Sequence, residues 1–197
     1  CVYETGVSPA TTTLAQWTID DPVGSALDLG TGCGVQSLHL STHAGHLTAT
    51  DVNPRCLDHA RLTAALNRID VDFRAGSLYE PVADDSFDLI VTNPPYVMSP
   101  PDQPRLVYRE GSHTADGLVR AVVQNAPSHL TDGGALQVLG NWALPADQPW
   151  PERLRSWIEP TGCDALVLEC NHDLGLLAQL LGLSWQTTRI LMDEEQG

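Results

Sequence analysis

The sequence predicts an α/β fold in which a mostly parallel sheet is covered by helices on its two faces. Three observations predict it. Short apolar runs alternate along the 197 residues with stretches of helical period. The first run leads directly into a glycine-rich turn and then into a helical stretch, as a βα unit does. Hydrophobic residues make up 42% and charged residues 18% of the chain, a globular balance, and no internal repeat or low-complexity tract interrupts it.

The elements follow in order. Ser25-Ala26-Leu27-Asp28-Leu29 is the first strand, and residues 35–43 continue as a helix after the glycine turn. Residues 46–50 form a second strand ending at Asp51. Asn53 then caps, and Pro54 opens, a helix over residues 55–67 whose Leu57, Ala60 and Ala64 share one face. Residues 70–74 are a third strand. Phe87-Asp88-Leu89-Ile90-Val91-Thr92 is a fourth, apolar enough to be buried on both sides, and runs into Asn93. Residues 98–105, with prolines at 100, 101 and 104, read as a loop over the strand ends. Residues 117–130 suit a helix whose last turn Pro127 cuts or kinks, and residues 135–139 a fifth strand after Gly133-Gly134. A helix over 150–158, a sixth strand over 165–169, a helix over 174–181 and a strand over 185–191 complete the reading.

Composition narrows function. The length suits one domain, 1–197, with no second domain. Cys1 stands where an initiator Met would be, and no charged-then-apolar leader follows, so the chain is expected to be a fragment lacking an N-terminal domain, its sheet open to being incomplete at the C-terminus. No apolar run approaches a membrane span. The five cysteines are odd in number and contain no C-x-x-C pair, which points to a reducing cytoplasm. The formal net charge of −15 opposes nucleic-acid phosphates unless arginines cluster or another domain supplies positive surface. All ten basic residues are arginines. The absence of lysine excludes a pyridoxal phosphate Schiff base and a Walker-type phosphate loop.

Two features carry chemistry. Asp28-Leu29-Gly30-Thr31-Gly32-Cys33-Gly34 lies between strand and helix, the context of a nucleotide-type cofactor loop, although a plain glycine-rich turn would share it. A dinucleotide fingerprint needs G-x-G-x-x-G; here the third glycine is Gly34 and residue 35 is Val, so the spacing points away from NAD. Asp51, about 20 residues beyond the loop, is placed to accept both hydroxyls of a ribose. The second feature is Asn93-Pro94-Pro95-Tyr96, at the carboxyl end of a buried strand, where open α/β sheets bind ligands. The Asn93 side-chain carbonyl and the Pro94 backbone carbonyl can each accept an N–H from a planar nitrogen, drawing it toward tetrahedral geometry. Pro94 and Pro95 stiffen that cradle, and Tyr96 can stack on a flat group.

The G-x-G-x-G loop resembles motif I of class I S-adenosylmethionine-dependent methyltransferases. The resemblance implies a Rossmann-like, seven-stranded-type sheet with S-adenosylmethionine as cofactor, its methionine part lying along Asp28, Gly30, Thr31, Gly32 and Gly34. It makes Asp51 the ribose acceptor and Val52 the residue that packs on adenine. Ser77 then stands where these enzymes commonly carry an Asp for the adenine amino group, with Leu78 beside it, and Asn93 borders both cofactor and substrate. The Asn-Pro-Pro-Tyr segment is similar to that of adenine-N6 DNA, guanine-N2 rRNA and release-factor glutamine methyltransferases. Tyr at 96, Tyr108-Arg109-Glu110 and Asp116-Gly117-Leu118 lean toward the release-factor group, while Ser112-His113-Thr114-Ala115 departs from it. The implied function is N-methylation of a planar amide or amine in a macromolecule, a protein glutamine or rRNA, without a metal. A nucleobase amine of rRNA or DNA is the alternative acceptor, and an inactive cofactor-binding partner subunit the alternative role. Oligomeric state is not addressed by any of these residues. Among remaining features, His39, His43 and His46 read as a solvated helix end, Ser37 and Ser41 lack a G-x-S-x-G elbow, Cys33 is a small filler, and Thr11-Thr12-Thr13 after Pro9 reads as a helix N-cap.

Overall fold

Val, Ile and Leu in close succession, with few polar breaks, favour strands that are covered on both faces. The computed structural model places seven of these in one sheet and describes residues 9–94, 117–143, 149–170 and 185–193. The strands are β1 (Val23–Leu29), β2 (Ala44–Asp51), β3 (Asp72–Ala75), β4 (Phe87–Thr92), β5 (Leu130–Ala143), β6 (Asp164–Cys170) and β7 (Trp185–Asp193). Their spatial order is β3-β2-β1-β4-β5-β7-β6. Neighbours from β3 to β5 pair in parallel, whereas β7 inserts between β5 and β6 and pairs antiparallel with each. The expected α/β, mostly parallel sheet is therefore the fold found.

The helices are α1 (Pro9–Trp17), α2 (Val35–Leu40), α3 (Pro54–Asn67), α4 (Gly117–Asn125) and α5 (Trp150–Ile158). Alternation along β4 divides the core: Leu89 and Val91 join Leu14 of α1 and Leu40 of α2 on one face, and Ile90 joins Val119, Val122, Leu154 and Trp157 of α4 and α5 on the other. α3 packs on the α2 side, against β2 and β3.

Local expectations hold with shifts at the ends. The Asn53 side chain accepts from the Arg55 N–H at 3.1 Å with Pro54 at the first helical position, so the expected cap forms. α4 stops at Asn125 and residues 126–129 tighten into a 3-10 turn, which is where Pro127, lacking an N–H, had to end it. α2 is shorter than expected: it ends at Leu40 because the N–H of Thr42 and of His43 turn back onto His39 and Leu40, and β2 begins at Ala44. Thr11, Thr12 and Thr13 lie inside α1 and do not cap it. The expected loop over 98–105 and helix over 174–181 fall outside the described residues.

Candidate functional site

β1 runs between β2 and β4, with Leu29 in register with Thr50 on one side and with Thr92 on the other. Asp51 is in register with Ala75 of β3. The turns leaving β1, β2, β3 and β4 therefore open on one carboxyl edge of the sheet, the usual ligand crevice of an open α/β fold.

The glycine loop is built by its own backbone. The N–H of Gly30 and of Thr31 both donate to the Thr50 carbonyl, at 2.9 and 2.8 Å, folding the turn over β2. Gly30 has φ +76°, and a Cβ there would meet nothing within 4 Å, so its backbone conformation calls for glycine while the space above it stays open. Gly34 has φ +84°, and a Cβ would come within 3.2 Å of the Ala60 Cα, so glycine also allows α2 to start hard against α3. Thr63 of α3 donates to the Cys33 carbonyl at 2.8 Å and pins the loop from that side. Burial pushes the Cys33 thiol up, away from the thiolate a nucleophile needs.

Asp28 lies beneath this loop, 1% exposed. One carboxylate oxygen accepts from the Thr31 and Ser37 hydroxyls, each at 2.6 Å, and those two hydroxyl oxygens are 3.0 Å apart. Burial pushes the carboxyl up to about 6, with the hydroxyl donors and the Asp51 charge as smaller influences. The side chains of Asp28 and Thr31 thus hold the loop's shape.

Asp51 is aimed by two backbone donors, Gly32 N–H at 2.9 Å and Asn53 N–H at 2.8 Å, one to each oxygen. Each oxygen keeps a second lone pair, so acceptance of two ribose hydroxyls remains open. Burial raises this carboxyl while those two N–H groups hold it down. Beside it Val52 is 72% exposed, an apolar surface at the edge of the crevice. The Gly76 N–H donates to the Asp51 carbonyl at 3.1 Å, which brings the turn after β3 to the same edge. There Ser77 is half-buried, while Leu78 adopts φ +48° and packs its side chain on the larger core, leaving backbone at the crevice.

At the end of β4 the Thr92 hydroxyl donates to the Leu29 carbonyl at 2.7 Å, locking β4 to the root of the glycine loop. Asn93 follows, and its Oδ1 is buried with no hydrogen-bond partner among the described residues. An amide oxygen in that condition costs about 1–3 kcal/mol until a donor reaches it. Pro94 is buried next to it; Pro95 and Tyr96 lie outside the described residues, as does Tyr108-Arg109-Glu110.

A buried amide acceptor, an open glycine turn, an aimed carboxylate and an exposed valine are acceptor and apolar groups that fit an adenosyl group with ribose hydroxyls and a flat base. Two contributors escaped the sequence reading. Ser37, weighed only as a nucleophile, braces Asp28. Gln36, buried, donates to the Thr11 carbonyl at 2.8 Å and ties α1 to α2. The available signal was two polar residues on what becomes the buried side of α2.

Comparison with known proteins places the family and the fold. The family model described as Methyltransferase small domain matches residues 4–158. Ribosomal protein uL3 glutamine methyltransferase of Bradyrhizobium diazoefficiens is 34% identical over 72% of this chain and 49% of its own length. Ribosomal RNA small subunit methyltransferase C of Erwinia tasmaniensis is 31% identical over 68% of this chain and 36% of its own. The chain thus spans half or less of these relatives. A methyltransferase structure from Pyrococcus furiosus shares the fold, with a TM-score of 0.67 at 17% identity over 97% of this chain and 89% of that one.

Proposed function

The chain belongs to the Methyltransferase small domain family, and so to the class I S-adenosylmethionine-dependent methyltransferases; on that premise we propose that it methylates a planar nitrogen of a macromolecule, a protein glutamine amide of the release-factor type before a nucleobase amine. The observation that carries this reading is Asn93 Oδ1, a buried acceptor at the end of β4 with no donor among the described residues. An amide or aromatic amine has a delocalised lone pair and is a poor nucleophile. When its N–H groups are received by Asn93 Oδ1 and the Pro94 carbonyl, the nitrogen is turned so that its lone pair points at the methyl group. The cofactor supplies that methyl on a positively charged sulfur. Asp51 holds the ribose, Val52 and the turn at Ser77 and Leu78 border the base, and the loop from Asp28 to Gly34 seats the methionine part. Pro95 stiffens the cradle and Tyr96 stacks on the flat acceptor. No strong base is called for, because the nitrogen turns acidic only as the methyl arrives.

The acceptor preference rests on charge. A net charge of −15 repels a phosphate backbone, whereas a protein loop carrying glutamine is not excluded by it. The similarity to a uL3 glutamine methyltransferase supports the same choice. rRNA is the second reading, supported by the relative named as a ribosomal RNA methyltransferase. An inactive partner subunit is disfavoured by the intact Asn93 acceptor. Among the described residues no helix is long and apolar enough to cross a membrane, and a cytoplasmic site of action fits a ribosomal or release-factor substrate.

The test is transfer of tritium from labelled S-adenosylmethionine into a cell extract, followed by protease or ribonuclease digestion. Label freed by protease and recovered as N-methylglutamine is the expected result. Label freed only by ribonuclease would reverse the order of the two acceptors.

A further inference from the structure

Three oxygens meet under the glycine loop: Asp28 Oδ2, Thr31 Oγ1 and Ser37 Oγ, with separations of 2.6, 2.6 and 3.0 Å. Three hydrogen-bond contacts need three protons, and two hydroxyls supply two. With Asp28 ionised, both hydroxyls donate to it and the Thr31–Ser37 contact is left without a proton. With Asp28 protonated, its O–H donates to one hydroxyl, that hydroxyl to the other, and the ring closes.

We propose that Asp28, Thr31 and Ser37 form a proton-holding ring that gives up its proton when the positively charged cofactor settles on the loop, and retains it when the neutral thioether product does. This rests on the assignment of the loop as the S-adenosylmethionine seat. Thr31 is part of that loop, and Asp28 enters it three residues earlier, so a cation held there lies close to the carboxyl across a buried, weakly screening interior. Among the described residues no positively charged side chain pairs with Asp28. Its register neighbours on β2 and β4 are Ala49 and Val91, both buried and apolar. From the end of β2 Asp51 adds a like charge, and Cys33 is the titratable neighbour on the loop. On α2 the nearest titratable ring, His39, answers to His43 and Asp20. A cation on the loop therefore replaces the proton as the counter-charge: the O–H bond of Asp28 breaks, its electron pair stays on the carboxylate, and the proton leaves to buffer. Asp28, Thr31 and Ser37 are positioning residues in this account, since none of them touches the reacting atoms.

Calorimetric titration near pH 6, repeated in two buffers of different ionisation enthalpy, counts the protons released on binding. S-adenosylmethionine is expected to release a sizeable fraction of a proton, and S-adenosylhomocysteine, which has the same amino and carboxylate groups but no sulfonium charge, close to none. Correspondingly, affinity for the former should rise with pH below the midpoint, by up to about tenfold per pH unit, while affinity for the latter stays flat. Asp28→Asn, whose neutral amide has no proton to give up, should lose the difference in proton release between the two ligands. Equal release from both ligands, or an unchanged difference in Asp28→Asn, would overturn the proposal and leave the cofactor assignment standing. Failure of the wild type to bind either ligand would instead remove the assignment on which it rests.

Discussion

The role proposed for Asn93 rests on a single atom. Its Oδ1 has no hydrogen-bond partner among the described residues, so Asn93→Ala should leave cofactor affinity within a few-fold of wild type and lower turnover by about 10²-fold or more. Equilibrium binding of S-adenosylhomocysteine beside single-turnover rates would separate the two effects, and a large loss of affinity would show the residue to be cofactor-binding first. Asp28 makes a prediction about stability. Its carboxyl is raised to about 6 by burial, so between roughly pH 4 and 6 the folded chain binds a proton that the unfolded chain has lost. Stability is therefore contributed below that window and lost as pH rises through it, by about 3 kcal/mol in all. Relative to Asp28→Asn, the wild type should lose urea resistance across those two units; parallel curves would contradict the burial argument. Asp28, Thr31 and the loop glycines were all readable as loop residues from their spacing. That two of these side chains turn inward was not, because their partner Ser37 sits on the next element and its hydroxyl looks like any other serine's.

Elements are joined by a few buried polar bridges. Gln137, in the middle of β5 and fully buried, accepts from the Ile19 N–H at 2.6 Å and donates to the Trp17 carbonyl at 3.1 Å. It thereby anchors the end of α1 to the sheet. Gln137→Leu keeps the volume and removes both bonds; a loss of about 2–3 kcal/mol is expected, with amide exchange accelerating first in α1. Uniform acceleration across the sheet would mean that α1 is not separately anchored. The start of α2 depends instead on space. Gly34→Ala would add a methyl against the Ala60 backbone at a φ of +84°, so about 1–3 kcal/mol should be lost together with cofactor affinity. Glycine at 34 was legible as part of the motif, since alternating glycines after a strand announce a turn. The reason it must be glycine, close approach of α3, needed the packed pair of helices.

Over the whole molecule, charge is the dominant long-range feature. With −15 formal charges and ten arginines against 25 acids, self-repulsion opposes compactness. Raising salt from about 20 to 200 mM shortens the screening length several-fold and should increase the melting temperature by a few degrees. A melting temperature that falls with salt would show attractive pairs to be in control. The same field bears on the acceptor, since it sets the cost of approach for a polyanion before any contact is made.

The sequence by itself determined the fold class, most strands to within a few residues, the glycine spacing that separates this cofactor loop from a dinucleotide loop, and the position of Asn93 at a strand end. These are local matters: periodicity, turn chemistry and the stop that a proline imposes all act within about ten residues. Tertiary structure alone decided that β7 runs antiparallel between β5 and β6, that α1 is clamped by a glutamine 118 residues away from its partner Ile19, that the Asp28 carboxyl accepts from two hydroxyls, and that Asn93 Oδ1 is buried with no partner among the described residues. Each of these depends on which distant groups share a buried space, and burial changes the energy of a polar atom more than any local propensity does.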